Sequence, residues 1–212
     1  MRMRKKPNLQ PRMEKCAHLM VHDPKSLRGQ WLHELPHKEL HVELGCGKGR
    51  FTAETAEAAP DTLLVALEKS ADAQIIAIER ADNAALTNVR FMNVLVDYLP
   101  DYFAQDEVGR IYINFCDPWH SNSHRKRRLT HSGFLELYKR VLRPGGEIHF
   151  KTDNLPLFEF SLREFESCGF AATEVTRDLH ANGPVGVMTD YELKFHTLGH
   201  PICRGVFTHG EA

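Results

Sequence analysis

The first residues in the chain with chemistry to offer are Glu43, Gly45, Gly47, Gly49 and Glu68. Glu43-Leu44-Gly45-Cys46-Gly47-Lys48-Gly49 sits where an apolar run breaks and a helical pattern begins. Glycines let a backbone turn sharply and approach a ligand with no Cβ in the way. The spacing is GxGxG, not the GxGxxG of a dinucleotide fingerprint, and the preceding Glu43 would repel a pyrophosphate. Glu68 closes the second apolar run, where a carboxylate can accept both hydroxyls of a ribose. A cofactor with a cationic centre, a ribose and no phosphate satisfies these features, and S-adenosylmethionine is such a molecule. The competing reading is a purely structural turn.

The second group is Asn114-Phe115-Cys116-Asp117-Pro118-Trp119. Pro118 keeps Asp117 extended and removes a donor, so the carboxylate is displayed at a rigid corner. Trp119 offers a flat face for a base. Alternatively Asp117 caps a helix and Trp119 belongs to the core. His124-Arg125-Lys126-Arg127-Arg128 follows, with guanidinium groups suited to phosphate, and Arg2, Arg4, Lys5 and Lys6 form a second basic element. Lys151-Thr152-Asp153-Asn154 ends another apolar run, with Asp153 or Asn154 as cleft residue or helix cap. Thr189-Asp190-Tyr191-Glu192 has capping-box spacing.

These groups hang on an alternating layout. Strands are expected at 39–44, 62–68, 89–93, 110–115, 147–151, 171–176 and 202–207. Helical patterns fall at 51–59, 71–85, 131–142, 155–167 and 190–198, and Pro144-Gly145-Gly146 reads as a turn before the fifth strand. Strands separated by helices imply βαβ units, right-handed crossovers and a mostly parallel sheet, hence an α/β fold. The glycine turn and Asp117 then lie at the carboxyl ends of strands on either side of a topological switch point.

The 212 residues suit one domain, 31–212, preceded by a basic arm, 1–30, in which Arg2, Arg4, Lys5 and Lys6 are expected to stay flexible until RNA binds. The net charge of −1 conceals a sorting. Residues 1–30 carry eight Lys/Arg against two acids, 31–119 seven against fifteen, 120–143 seven against one, and 144–212 five against ten. Basic blocks on an acidic body suggest a polyanion beside a site that prefers cations. No apolar run reaches the ~20 residues of a membrane span, and no cleavable signal opens the chain. Five scattered cysteines without CxxC suit a reducing cytoplasm, and thirteen histidines show neither HExxH nor zinc-ligand spacing, so no metal is expected.

MRMRKKP, VELGCGKGRF, INFCDPW, HRKRRLT, GGEIHFKTDN and MTDYELKF, in that order, resemble the bacterial tRNA (guanine-N7-)-methyltransferases of the TrmB family, over residues 1 to about 205. The resemblance implies a class I S-adenosylmethionine-dependent fold, Rossmann-like, with seven strands and helices on both faces. It implies methylation of the variable-loop guanosine at tRNA position 46. Glu43, Glu68 and Asp117 correspond to cofactor-contacting acids, with Asp117 catalytic. Asp153 and the segment Thr189, Asp190, Tyr191, Glu192 correspond to guanosine-binding elements, and Ser123, His124, Arg125, Lys126, Arg127 and Arg128 to the RNA-contacting stretch.

Two positions depart from the family pattern. Leu95 stands where the family has an acid that meets the adenine amino group, leaving that contact to a backbone group or Asn93. Ser121 stands where the family has a substrate lysine, which shifts RNA affinity toward residues 125–128. Rival functions are a methyltransferase of another RNA, a small-molecule or protein methyltransferase, which shares the glycine turn but has no need of the basic blocks, and a non-catalytic RNA-binding protein, which has no need of Glu43 and Glu68.

Overall fold

The computed structural model describes residues 5–210. Five parallel strands carry the first part of the chain: β1 (Glu39–Leu44), β2 (Thr62–Leu67), β3 (Val89–Met92), β4 (Val108–Asn114) and β5 (Leu142–Thr152). β6 (Phe170–Thr176) and β7 (Cys203–His209) complete one sheet in the order β3-β2-β1-β4-β5-β7-β6, with β7 antiparallel to both neighbours. The sheet is therefore mostly parallel, as expected for this α/β class. In β1 and β2 five of six residues are buried, because helices cover both faces.

Alternate side chains feed two cores. Leu63, Val65 and Leu67 join one with Ile111, Ile113, Phe150, Phe158 and Phe207, while Leu64 and Ala66 join the other with Phe51, Ala77, Ile78 and Phe91. The second core is covered by α1 (Leu9–Lys15), α3 (Arg50–Ala58) and α4 (Ala71–Asn83). The first is covered by the single turns α2 (Trp31–Glu34) and α5 (Leu99–Tyr102), with α6 (Ser132–Val141) and α7 (Leu155–Ser167). α8 (Asp190–Thr197) follows a loop after β6. Asn154 caps α7 by accepting from the Leu157 N–H at 2.8 Å, which leaves the neighbouring Asp153 for other contacts.

One expectation needs revision. β5 starts at Leu142, before the Pro-Gly-Gly turn: Leu142 pairs with Val108 and Glu147 with Arg110, so Pro144–Gly146 bulge out of a continuing strand, with Gly145 at φ 72°. The amino-terminal segment packs on the domain beyond Lys6, whereas Arg2 and Arg4 of the stretch expected to be flexible lie outside the described residues. Cys16 and Leu19 are buried in the second core, the Arg12 guanidinium meets both Glu79 oxygens at 2.7 and 2.6 Å, and Met20 bridges Phe91. Apolar residues at Met13, Cys16, Leu19 and Met20 drive this docking. Trp31, fully buried, donates Nε1–H to the Tyr102 carbonyl at 2.9 Å.

Candidate active site

β1 lies between β2 and β4, and the connections from β1 and β4 leave toward opposite sides. The crevice this opens at their carboxyl ends is a cleft of about 770 Å³. Gly45, Glu68, Leu95, Asp97, Asn114, Asp117, Trp119, Lys126 and Arg127 contribute to its walls.

The glycine turn forms one side. Gly45, Gly47 and Gly49 have φ of 83°, 57° and 72°, the left-handed region that favours glycine. The Gly45 and Cys46 N–H groups both donate to the Leu67 carbonyl, at 2.8 and 3.0 Å, tying the turn to the end of β2. A Cβ at Gly49 would lie 2.4 Å from the Ala77 Cβ, so this glycine sets the close approach of α3 to α4. A Cβ at Gly45 or Gly47 would meet nothing within 4 Å, so the backbone there faces open space.

Glu68 sits beside the turn and works for the protein as well as for a ligand. Its two oxygens accept from Gly47 N–H at 3.0 Å and Ser70 N–H at 2.8 Å, and each keeps a lone pair. Asn93, outside the cleft lining, donates its amide to the Glu68 carbonyl at 2.7 Å and braces the rim. Leu95, half exposed, forms an apolar wall, and Asp97, two residues on, supplies a carboxylate to the same cleft. Asp97 stands two positions beyond the place of the family's acid, so the family pattern does not single it out.

Glu43 is placed differently from a ligand contact. It is 1% exposed and lies beneath the turn, where Thr52 Oγ1 donates to one oxygen at 2.6 Å and Asn114 Nδ2 approaches the other at 3.4 Å. Burial pushes its carboxyl up to about 7 against those two hydrogen bonds. It joins β1, α3 and β4 under the site.

Asp117 stands in the open on the opposite wall, 4.0 Å from the Lys69 ammonium. The corner that carries it is strained at both ends: Phe115 has φ 52° and Trp119 φ 43°, left-handed values in residues with large side chains. Three hydrogen bonds hold it. Phe115 N–H donates to the Lys151 carbonyl at 2.9 Å, and Arg128 donates Nε–H to the Pro118 carbonyl at 2.9 Å and Nη2–H to the Trp119 carbonyl at 3.0 Å. Arg128 also stacks on Phe160, 4.4 Å from the ring centre, so it is a brace and not a free phosphate contact. Burial pushes the neighbouring Cys116 thiol up to about 12, which disfavours its thiolate.

The polar stretch after Trp119 folds as a 3-10 helix, Asn122–Arg127, capped by Ser121, whose Oγ accepts from the Ser123 N–H. Ser121 and Ser123 thus serve each other, their hydroxyls 2.7 Å apart. Arg127 lies 5.0 Å above the Trp119 ring and His124 meets the same ring edge-on, so the expected platform already carries a guanidinium. Arg125 and Lys126 are exposed. Lys5 is exposed and Lys6 half-buried with its N–H on Asp72, remote from this element in sequence, while Arg2 and Arg4 lie outside the described residues.

Asp153 and Tyr191 are brought together: the Tyr191 hydroxyl donates to Asp153 at 3.2 Å, and its ring packs 5.0 Å from Phe115. Thr189 and Glu192 form a complete capping box. Glu192 is fully buried, and Asp190 faces away to Arg80 at 3.2 Å. Of the expected guanosine-binding group, Asp153 and Tyr191 are therefore at the corner, while Asp190 and Glu192 point elsewhere. Among the described residues no cluster of three or more His, Cys, Asp or Glu could hold a metal, and no helix is long and apolar enough to cross a membrane.

The sequence profile of a family described as "Putative methyltransferase" matches residues 37–205. A tRNA (guanine-N(7)-)-methyltransferase of Bacillus velezensis is 41% identical over 206 residues, covering 96% of this chain and 95% of that protein. The chain belongs to the tRNA (guanine-N(7)-)-methyltransferase family. A relative in Bacillus subtilis with the same description is 40% identical over the same share of the chain, so the family match includes the glycine turn, the Asp117 corner and the α8 cap together. Solved structures agree on the fold: the 16S rRNA methyltransferase KamB superposes with a TM-score of 0.65 over 88% of this chain and 92% of its own, at 17% identity. The fold thus sets Gly45, Glu68 and Asp117 around one cleft, with Glu43 beneath it, Asn93 at its rim and Arg128 bracing the Asp117 corner.

Proposed function

We propose that this chain transfers the methyl group of S-adenosylmethionine to N7 of a guanosine in the variable loop of tRNA. The observation that carries this reading is identity at 40–41% across 96% of the chain to enzymes so described, in a chain whose cleft displays Asp117 opposite the glycine turn. The cleft fits the cofactor: open backbone at Gly45 and Gly47, a carboxylate at Glu68 for hydroxyl donors, apolar surface at Leu95 with the Asp97 carboxylate beyond it, and an acid at Asp117 for a cation. When bound, S-adenosylmethionine supplies an electrophilic methyl group.

Guanine N7 has an in-plane lone pair and no proton to lose, so the residues need only orient the base and carry charge. Asp117 holds its carboxylate at the mouth, where it favours a positive charge on either reactant. Asp153 offers an acceptor for the N1–H and amino edge of guanine, which adenine lacks. Lys126 and Arg127 line the cleft, Arg125 is exposed next to them in the chain, and the three suit the tRNA backbone. The adenine amino group is met by Asp97 or by backbone near Leu95 in place of the family's acid. The enzyme works in the cytoplasm, where tRNA is its partner.

The test is incubation of unmodified tRNA transcript with the purified protein and methyl-labelled S-adenosylmethionine. Label should appear in one guanosine of the variable loop and make that nucleotide cleavable by borohydride and aniline. Label in another nucleotide, or none, would overturn the reading.

A further inference from the structure

One buried carboxylate ties three stretches of chain together beside the reaction corner. Lys151, second from the end of β5, is buried and donates its ammonium to Glu192 Oε2 at 2.6 Å and to the Val187 carbonyl at 3.0 Å. Its Nζ also lies 5.2 Å from the Phe51 ring centre on α3. Glu192 Oε2 accepts in addition from the Thr189 N–H at 3.2 Å. The other oxygen, Oε1, lies 3.1 Å from Nε2 of the buried His180. The His180 Nδ1 accepts from the Val185 N–H at 3.1 Å, so the ring proton sits on Nε2 and is donated to Glu192.

A buried carboxylate holds its place only when its lone pairs are filled. Here β5, the loop between β6 and α8, and the first turn of α8 each contribute to one such group. That loop contains no strand or helix from Arg177 to Thr189, so these contacts stand in for a backbone ladder. Successive helix residues point about 100° apart. With Glu192 bolted inward, Tyr191 is turned outward to Asp153 and Phe115.

We infer that Lys151 and His180 are positioning residues, which fix Glu192 and through it the α8 turn that presents Tyr191 at the reaction corner. The substrate side of this inference rests on the methyl-transfer reading above; the latch itself does not. Lys151→Met, Tyr191→Ala and the double variant, all in the full chain, test it. Amide exchange followed by mass spectrometry should be faster in residues 179–190 of K151M and unchanged in the β1–β4 half of the sheet. Unchanged exchange in 179–190 would overturn the latch whatever nucleotide is methylated, whereas a wild-type protein that methylates no tRNA would overturn only the functional reading.

In steady-state methylation, K151M should lower kcat at least about tenfold while S-adenosylmethionine affinity stays within about twofold. In the Tyr191→Ala background the further loss should shrink below about threefold, because nothing is left to position. An equal loss in both backgrounds would show Lys151 acting by another route and sink the inference. His180→Leu, which leaves the Lys151–Glu192 pair in place, carries the same expectations should K151M fail to fold.

Discussion

Arg128 donates one hydrogen bond to the carbonyl of Pro118 and another to that of Trp119, so a residue from the basic stretch clamps the corner that displays Asp117. The two carbonyls belong to a segment with left-handed backbone at Phe115 and Trp119, a conformation worth roughly 1–2 kcal/mol per residue in strain. The clamp and the Phe115–Lys151 backbone bond are what hold that strain in place.

This separates Arg128 from its neighbours. Arg128→Ala should reduce turnover by about 10²-fold through a displaced corner. The salt dependence of its tRNA binding should stay that of the wild type. Replacing Arg125 and Lys126 together should instead flatten the slope of log K against log salt by about 2. Filter binding across a salt series distinguishes the two; a flattened slope in Arg128→Ala would place its guanidinium on phosphate after all.

Asp117→Asn should leave stability within about 0.5 kcal/mol, since the side chain is exposed and its partner Lys69 is 4.0 Å away. Methyl transfer should fall by about 10²-fold, as for the loss of one preorganised charge. Single-turnover assays with saturating tRNA report the chemical step, and near-normal turnover would remove Asp117 from the centre of the reaction.

Glu43 makes stability depend on pH. Burial lifts its carboxyl from the usual range to about 7, so between the unfolded value near 4.5 and that value the native state binds more protons than the unfolded chain. Its contribution is most favourable below about 4.5 and is lost as pH rises to 7. Glu43→Gln should therefore be more stable than the wild type at pH 8, by on the order of 3 kcal/mol. Urea unfolding at pH 5 and pH 8 checks this, and a variant less stable at pH 8 would contradict the buried acid.

Gly49→Ala should destabilise the fold by about 2–4 kcal/mol, because the new Cβ meets Ala77 at 2.4 Å and the backbone there is left-handed. Gly45→Ala meets open space and should cost only about 1–2 kcal/mol of backbone strain. Denaturant midpoints for the pair test whether the third glycine serves helix packing.

Much of this was legible in the residues. Strand and helix positions follow from apolar periodicity, which a chain carries locally: the strand expected at 39–44 and the helix at 155–167 match β1 and α7. The Thr189–Glu192 spacing announced a capping box, and the box is there. Gly45, Glu68 and Asp117 could be placed in one cleft because strand order in a βαβ fold follows from a few topological rules. Contacts between distant stretches were not available. That Arg128 faces carbonyls, that Glu43 is covered, and that Lys151 and His180 meet on Glu192 depend on where separate elements come to rest. So does the docking of the basic amino-terminal segment through Cys16, Leu19 and Arg12. A charged or apolar side chain is the same residue type whether it faces solvent or a partner far along the chain, and only tertiary packing decides which.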